Sequence, residues 1–64
     1  IKITQGTNTT AEKAAMIAAT RDMLVRVLPD LSDVAYVVID EIPATDWGYG
    51  GLTQAERKRR ADAA

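Results

Sequence analysis

The pattern of hydrophobic residues is strongest between Val34 and about Ile42, where an apolar run has the length of a β-strand. Its first six residues are continuously apolar apart from the hydroxyl of Tyr36. A strand covered on one face alternates between apolar and polar residues, whereas a continuous run indicates cover on both faces. A single helix covers only one face. We therefore expect a second copy of the chain, or a related chain, to cover the other.

Two further elements are predicted ahead of this run. Ile1–Thr4 alternates between apolar and polar residues, which predicts a short first strand. Thr9 and Glu12 have the spacing of a capping box, so a helix should run from about Thr10 to Leu28 and end at Pro29. The residues that this helix should turn toward the sheet are Ala14, Ile17, Ala18, Leu24, Val25 and Leu28, with Met16, Met23 and Val27 on the flank of this face.

The order strand, helix, strand predicts a β-α-β unit with parallel strands and a right-handed crossover. Two strands do not form an independent sheet. The expected fold class is therefore α/β, with a parallel two-stranded unit completed by oligomerisation and a short C-terminal hairpin or tail. We expect one domain over residues 1–64, with the core and a glycine loop in residues 1–51 and a basic tail in residues 52–64.

The C-terminal part reads as a glycine-spaced loop or small hairpin at Thr45–Gly51, followed by a second capping box at Thr53–Glu56 and a short helix. Residues 1–51 carry a net charge of −3 and residues 52–64 a net charge of +2, and all four positive charges of residues 52–64 lie in the block Arg57–Arg60. A nucleic-acid site would use such a block. However, the rest of the chain is acidic and no aromatic residue lies within the block, so we expect a solvated tail and no nucleic-acid partner.

The amino-acid composition excludes several kinds of catalytic and metal site. The chain has 64 residues and neither cysteine nor histidine, which excludes disulfides, thiolate metal sites and histidine bases. A chain of this size is marginally stable alone, so self-association is expected. We expect no cofactor and no metal, and no membrane partner because an apolar run of about 18 residues is missing. The absence of cysteine suits a cytoplasmic protein.

With these elements in this order, the chain resembles the 4-oxalocrotonate tautomerase family over nearly all of residues 1–52. The segments that carry the resemblance are Ile1–Gly6, Glu12-Lys13, Val37–Pro43 and Asp46–Gly51. The resemblance implies a β-α-β core with a terminal hairpin, assembled as a hexamer (a trimer of dimers) with its pockets at subunit boundaries. It also implies proton transfer by an amino-terminal proline acting as general base, two arginines that bind the substrate's carboxylate and carbonyl groups, and an aromatic residue that forms the pocket wall.

This sequence departs from the family pattern at the residues that carry the chemistry. Position 1 is isoleucine, and matching Gly6 to the family's glycine places Ile1 a few residues inside the usual start. We therefore expect residues, including any proline, ahead of Ile1, and the catalytic residue stays unassigned. Thr7 and Tyr36 stand where the family has arginines, and Trp47 matches the aromatic residue. A hydroxyl does not replace the bidentate carboxylate recognition of a guanidinium.

The candidate substrate-binding residues are accordingly Trp47, Tyr36 and Thr7. Each has a structural alternative: Trp47 as a subunit-interface anchor, Tyr36 as a strand residue beside a partner, and Thr7 as a turn residue that binds backbone groups. Replacement positive charge in an assembled site would come from Lys2, Arg21 or Arg26, which otherwise lie on solvated faces.

Three hypotheses follow for function. The first is a tautomerase-like enzyme that performs keto–enol proton transfer on small unsaturated or 2-oxo carboxylic acids, as a homo- or hetero-hexamer. The second is a non-catalytic or asymmetric subunit of a hetero-oligomeric tautomerase. The third is a binding protein for a small ligand.

Overall fold

The computed structural model describes residues 1–63. Along the chain lie β1 (Lys2–Thr4), α1 (Thr10–Val27), β2 (Asp40–Ile42), β3 (Gly48–Tyr49), β4 (Leu52–Thr53) and α2 (Gln54–Ala63). Strands β1 and β2 are parallel, with Lys2 opposite Asp40, and β3 and β4 form an antiparallel hairpin. The predicted β-α-β fold with a C-terminal hairpin is confirmed.

Helix α1 begins where its sequence predicts. The Thr9 side chain accepts a hydrogen bond from the backbone N–H of Glu12, and the Glu12 carboxylate accepts one from the backbone N–H of Thr9 at 2.8 Å. Both halves of the capping box are therefore present, so two backbone donors at the helix start are satisfied. The helix ends one residue before the predicted Leu28, which acts as its C-cap and donates to the carbonyl of Leu24.

Strand β2 is shorter than predicted, because only Asp40–Ile42 of the apolar run forms a regular ladder. The pairing extends a little beyond β1, since the Ile1 amino group donates to the Val38 carbonyl and the Asp40 N–H donates to the Ile1 carbonyl. A strand needs a neighbour for each ladder bond. Within the described part of the chain, no residue lies alongside Val34 to extend the ladder further.

Two ion pairs link α1 to the chain at either end of the apolar run. Lys13 Nζ lies 2.9 Å from Glu41 Oε1, and Arg21 binds the Ser32 carbonyl at 2.7 Å and the Asp33 carboxylate at 3.2 Å. The partly buried side of the helix is therefore Lys13, Met16, Thr20, Arg21 and Leu24. Ala14, Ala18 and Val25, predicted to face the sheet, are exposed instead. The helix side nearest the strand segment thus carries the two cations, whose charged ends pair with Glu41 and Asp33.

The described chain contains no buried residue. Its accessible surface is 4992 Å², against about 4,000 Å² for a compact protein of this mass. Its radius of gyration is 15.8 Å, against about 11 Å for a compact domain of this length. A single copy therefore has the secondary structure of its fold without a hydrophobic core.

The apolar strand segment has one covered and one open side. Ala35, Val37 and Ile39 are half-buried. The residues between them are open to solvent: Val34 is 76% exposed, Tyr36 91% and Val38 58%. Exposure thus alternates along this segment as it would along a strand, although Val34 itself lies in the turn closed by the Ala35 N–H and the Ser32 carbonyl at 3.1 Å. We call Val34, Tyr36 and Val38 the open face.

Candidate functional site

A concave surface lies on the C-terminal hairpin. A cavity of about 240 Å³ is lined by Trp47, Gly48, Tyr49 and Gln54. We call it the tryptophan cavity. A second hollow of about 330 Å³ shares the first three of these residues and continues over Thr45–Asp46 and the turn. The hairpin thus has an aromatic wall with hollows beside it.

Glycine is required at two kinds of position in this hairpin. A Cβ at Gly48 would overlap the Leu52 carbonyl oxygen, because β3 and β4 approach closely there. Gly50 and Gly51 have positive φ angles of 63° and 83°, in the region that favours glycine. The three glycines therefore allow the tight hairpin that carries Trp47 and Tyr49.

Trp47 is held at the carboxyl end of the parallel strand pair. Its indole N–H donates to the Thr4 hydroxyl at 3.1 Å, across 43 positions of sequence, and its carbonyl accepts from the Gln54 N–H at 2.9 Å. The side chain is half-buried. These contacts fix the ring between β1 and the start of α2, where it forms the wall of the tryptophan cavity.

Thr7 lies near the same end of the sheet, but its hydroxyl is already engaged. It donates to the Thr4 carbonyl at 2.7 Å and lies 3.0 Å from the Asn8 side-chain oxygen. These contacts shape the turn between β1 and α1. They are the contacts expected of a turn threonine.

Tyr36 lies at the opposite end of the strand segment. Six residues separate it from Ile42, which corresponds to about 20 Å along an extended chain, and its side chain is 91% exposed on the open face. One copy therefore does not bring Tyr36 and Trp47 to one cavity. A site that uses both residues has to combine two chains.

Helix α2 contributes two residues that the sequence-based candidates did not include. The guanidinium of Arg57 lies over the Tyr49 ring, 3.7 Å from its centroid, and donates to the Tyr49 carbonyl at 2.8 Å. Gln54, one turn earlier on the helix, lines the tryptophan cavity. Their i, i+3 spacing, which places both on one helix face, was the available signal in the sequence.

The remaining cations of the basic block are paired within α2. Arg59 and Arg60 both bind the Glu56 carboxylate, at 2.6 and 2.9 Å, and Lys58 lies 3.2 Å from Asp62. The hydrogen bond from Arg59, followed by that from Arg60, lowers the pKa of Glu56 from 4.5 to about 2. The block is thus the charged surface of a helix rather than a row of free cations. Of the other cations considered for the site, Arg21 holds the loop before the open face.

Residues 1–63 contain neither a membrane-spanning helix nor a metal-binding cluster. The chain has no helix there that is both long enough and apolar enough to cross a membrane. The same residues hold no group of three or more histidine, cysteine, aspartate or glutamate side chains arranged to hold a metal ion.

These features define a small β-α-β protein whose aromatic-walled hollow lies at the end of a parallel strand pair. A family model described as tautomerase enzyme matches residues 1–57. The chain is also 34% identical over 61 residues to the probable tautomerase K2 of Dickeya dadantii (strain 3937), covering 95% of this chain and 91% of that protein. No solved structure gives a significant match. The chain belongs to the tautomerase family.

Proposed function

We propose that this chain forms part of a tautomerase that performs keto–enol proton transfer on small unsaturated or 2-oxo carboxylic acids. The observation that carries the proposal is the placement of Trp47: its ring is anchored to Thr4 and walls a cavity in a chain that belongs to the tautomerase family. An indole face suits a planar, conjugated acid, because stacked π systems add to the gain from burial.

The active assembly in this proposal is an oligomer, a hexamer of the type the family resemblance implies. The exposed Val34, Tyr36 and Val38 support association, since burying an aliphatic or aromatic side chain of this size contributes roughly 1.5–3 kcal/mol. The separation of Tyr36 from Trp47 supports a site built between copies. In such a site the Tyr36 hydroxyl of one copy would bind a ligand held against Trp47 of another, with Thr7 at the rim.

The general base in this proposal is the secondary amine of an amino-terminal proline, which is not among the numbered residues. It would come from a position ahead of Ile1 or from a partner subunit. The hydrogen bond from the Ile1 amino group to the Val38 carbonyl supports a continuation of the parallel pairing by any residues joined before Ile1. They would continue alongside the segment that carries Tyr36, so a proline there and this tyrosine would be neighbours.

The test begins with the intact mass of the mature protein, which defines its amino terminus. Ketonisation of a phenylenolpyruvate-type substrate is then followed by absorbance for the wild type, Trp47→Phe and Trp47→Ala. We expect Trp47→Ala to raise KM about tenfold and Trp47→Phe to raise it less, because an aromatic pair contributes about 1 kcal/mol beyond burial. A mature homo-oligomer that begins at Ile1 and shows no turnover would contradict the catalytic proposal.

A second candidate is a non-catalytic or asymmetric subunit of a hetero-oligomeric tautomerase, or a protein that only binds a small acid. Thr7 and Tyr36, in place of two arginines, favour this candidate, as does the engagement of the Thr7 hydroxyl within its own turn. Purification from the native source distinguishes the two. Co-purification of a related chain in fixed ratio supports the subunit role, whereas an active, symmetric homo-oligomer contradicts it.

A further inference from the structure

Tyr49 is the second aromatic residue of the hairpin, and it lines both the tryptophan cavity and the neighbouring hollow. Tyr49 is 67% exposed, whereas Trp47 is half-buried and bound to Thr4. Within the hairpin its ladder partner is Leu52, in a pairing of only two residues on each side. So short a hairpin is not stable by itself. The position of the Tyr49 ring therefore depends on what contacts it from outside the hairpin.

The Arg57 side chain makes two contacts with Tyr49. The guanidinium lies over the ring, 3.7 Å from its centroid, and its Nη2 donates to the Tyr49 carbonyl at 2.8 Å. One planar group thus binds both the backbone and the ring of the same residue. A lysine ammonium is less suited to both contacts at once, because it is a compact charge without a planar face.

This contact is closely packed. The Arg57 Nε is enclosed and has no hydrogen-bond partner among residues 1–63, so this edge of the guanidinium is out of water. Its Nη2 lies so near the turn that a Cβ at Gly50 would come within 2.8 Å of it. A cation over an aromatic ring is held more strongly when it is desolvated. Arg57 lines neither of the two hollows, so it supports Tyr49 from outside the cavity.

Resting on the proposed function, in which the tryptophan cavity binds an unsaturated acid, we propose that Arg57 is a positioning residue that holds Tyr49 as the second aromatic wall of this cavity. Arg57 acts through Tyr49 and does not touch the ligand. Trp47 is fixed separately, by its hydrogen bond to Thr4. Loss of Arg57 should therefore free one wall of the cavity and leave the other in place.

The experiment follows the two walls separately by NMR in the assembled full chain. The ring resonances of Tyr49 report one wall, and the solvent exchange of the indole N–H of Trp47 reports the other. The variants are Arg57→Met, which keeps a long side chain without the charge or the planar group, and Arg57→Lys, which keeps the charge alone. Arg60→Met is the matched control, because Arg60 is a cation of the same helix that pairs with Glu56.

We expect Arg57→Met to move the Tyr49 ring resonances toward those of an unstructured tyrosine. It should also weaken the binding of trans-cinnamate, used as the probe, about fivefold, as for the loss of an aromatic stacking contact. Arg57→Lys should lie between the wild type and Arg57→Met. The indole N–H of Trp47 should exchange as slowly in both variants as in the wild type, and Arg60→Met should change none of these quantities.

A pair of glycine variants tests the same contact without changing Arg57. Gly50→Ala and Gly51→Ala both place a side chain on a residue with positive φ, 63° and 83°, so both carry backbone strain. Only the methyl group at Gly50 would meet Arg57, whereas that at Gly51 meets no atom within 4 Å. Gly50→Ala should therefore move the Tyr49 resonances in the same direction as Arg57→Met, and Gly51→Ala should not.

Unchanged Tyr49 resonances in Arg57→Met, an equal effect of Arg60→Met, or full cinnamate binding by Arg57→Lys would overturn the inference. So would fast exchange of the Trp47 indole N–H in Arg57→Met, because Arg57 would then serve the general stability of the hairpin. Absence of cinnamate binding by the wild type would overturn it as well.

If Arg57→Met does not fold, the wild type still tests the contact. The ring current of Tyr49 should shift the Nε–H resonance of Arg57 upfield of that of Arg60, and cinnamate should shift the Tyr49 ring resonances. Failure of either shift would contradict the role of Arg57.

The outcome is separable from that of the proposed function. Movement of Tyr49 with weaker cinnamate binding in Arg57→Met, but no turnover of a phenylenolpyruvate-type substrate by the wild type, supports the role of Arg57 and contradicts the enzymatic proposal. Turnover with a KM that Arg57→Met leaves unchanged does the reverse.

Discussion

The β1–α1–β2 unit and the segment from Pro43 to Ala63 are held together in different ways. The first unit carries the chain's apolar strand, yet its open face (Val34, Tyr36 and Val38) remains in solvent. The second segment is short and polar, and it closes on itself through the contact of Arg57 with Tyr49 and the pairing of Glu56 with Arg59 and Arg60. We therefore expect another chain to complete the first unit, whereas the second is held mostly by contacts within itself.

The candidate site residues are divided between these two regions. The hairpin segment holds the aromatic wall with contacts from its own chain, through Thr4 and Gln54. The strand unit holds Tyr36 on its open face, away from the tryptophan cavity. Substitutions on the open face should consequently change assembly, while substitutions in the hairpin should change the cavity and leave assembly in place.

The largest effect is expected from Val38→Lys on the open face. An unpaired charge buried at an interface costs about 3–5 kcal/mol, so association should weaken by more than about a hundredfold, and folding with it. Sedimentation velocity and circular dichroism measure both. Val27→Lys is the matched control, since Val27 is similarly exposed (66% against 58%) but lies at the end of α1. Equal behaviour of the two variants would show that the open face is not an interface.

A smaller effect, confined to the hairpin, is expected from Gly48→Ala. The added methyl group would overlap the Leu52 carbonyl and force β3 and β4 apart, at a cost of about 1–3 kcal/mol. Gly51→Ala is the comparison, because it meets no atom and carries only the strain of a positive φ, about 1 kcal/mol. The indole N–H resonance of Trp47 should move in the first variant and stay in the second, with the oligomer intact in both. Dissociation of the Gly48→Ala oligomer would contradict the separation of the two regions.

Removing either helix cap should lower the free energy of unfolding by a smaller amount. Thr9→Ala removes the complete capping box of α1 and should cost about 1 kcal/mol. Thr53→Ala removes a single bond to the Glu56 N–H, because the Glu56 carboxylate binds Arg59 and Arg60 instead of returning to the cap. The Thr53→Ala substitution should therefore cost about 0.5 kcal/mol. Urea unfolding at fixed protein concentration measures both, and a larger loss for Thr53→Ala would reverse the ranking.

The smallest effect is the pH dependence of α2. The pKa of Glu56 is lowered from 4.5 to about 2 by Arg59 first and Arg60 second, so its ion pairs stabilise the helix above pH 4.5 and are lost as the pH falls toward about 2. Helical ellipticity of Glu56→Gln should therefore be lower than that of the wild type at neutral pH, and the difference should vanish near pH 2. Asp62→Asn, which removes only the pair with Lys58, is the control. A difference that persisted at the acid limit would assign the effect to another cause.

The sequence predicted the elements better than their contacts. Thr9 and Glu12 located the start of α1, and the glycines located the hairpin, because these signals act within a few residues. The predicted length of β2 was wrong because a strand forms ladder hydrogen bonds only where a neighbouring strand lies beside it. The helix face predicted to lie against the sheet was wrong. Lys13 and Arg21 lie on the partly buried face instead, because they pair with residues far along the chain.

The same distinction applies to the candidate site. Trp47 could be chosen from its isolated position among polar residues and glycines, and the structure places it at a cavity. Gln54 and Arg57 were missed because their role depends on α2 folding back over Tyr49. That contact follows from the geometry of the hairpin turn and has no strong local signature. The roles of Trp47, Tyr36 and Thr7 in binding substrate remain predictions.

The dependence of folding on protein concentration tests the central claim most directly. Thermal unfolding, followed by circular dichroism, is measured over a wide range of dilution alongside the molecular mass in solution. Since none of residues 1–63 is buried and the accessible surface is 4992 Å², we predict that the melting temperature falls on dilution and that dissociation and unfolding coincide. A monomer that unfolds cooperatively at a concentration-independent temperature would contradict the account.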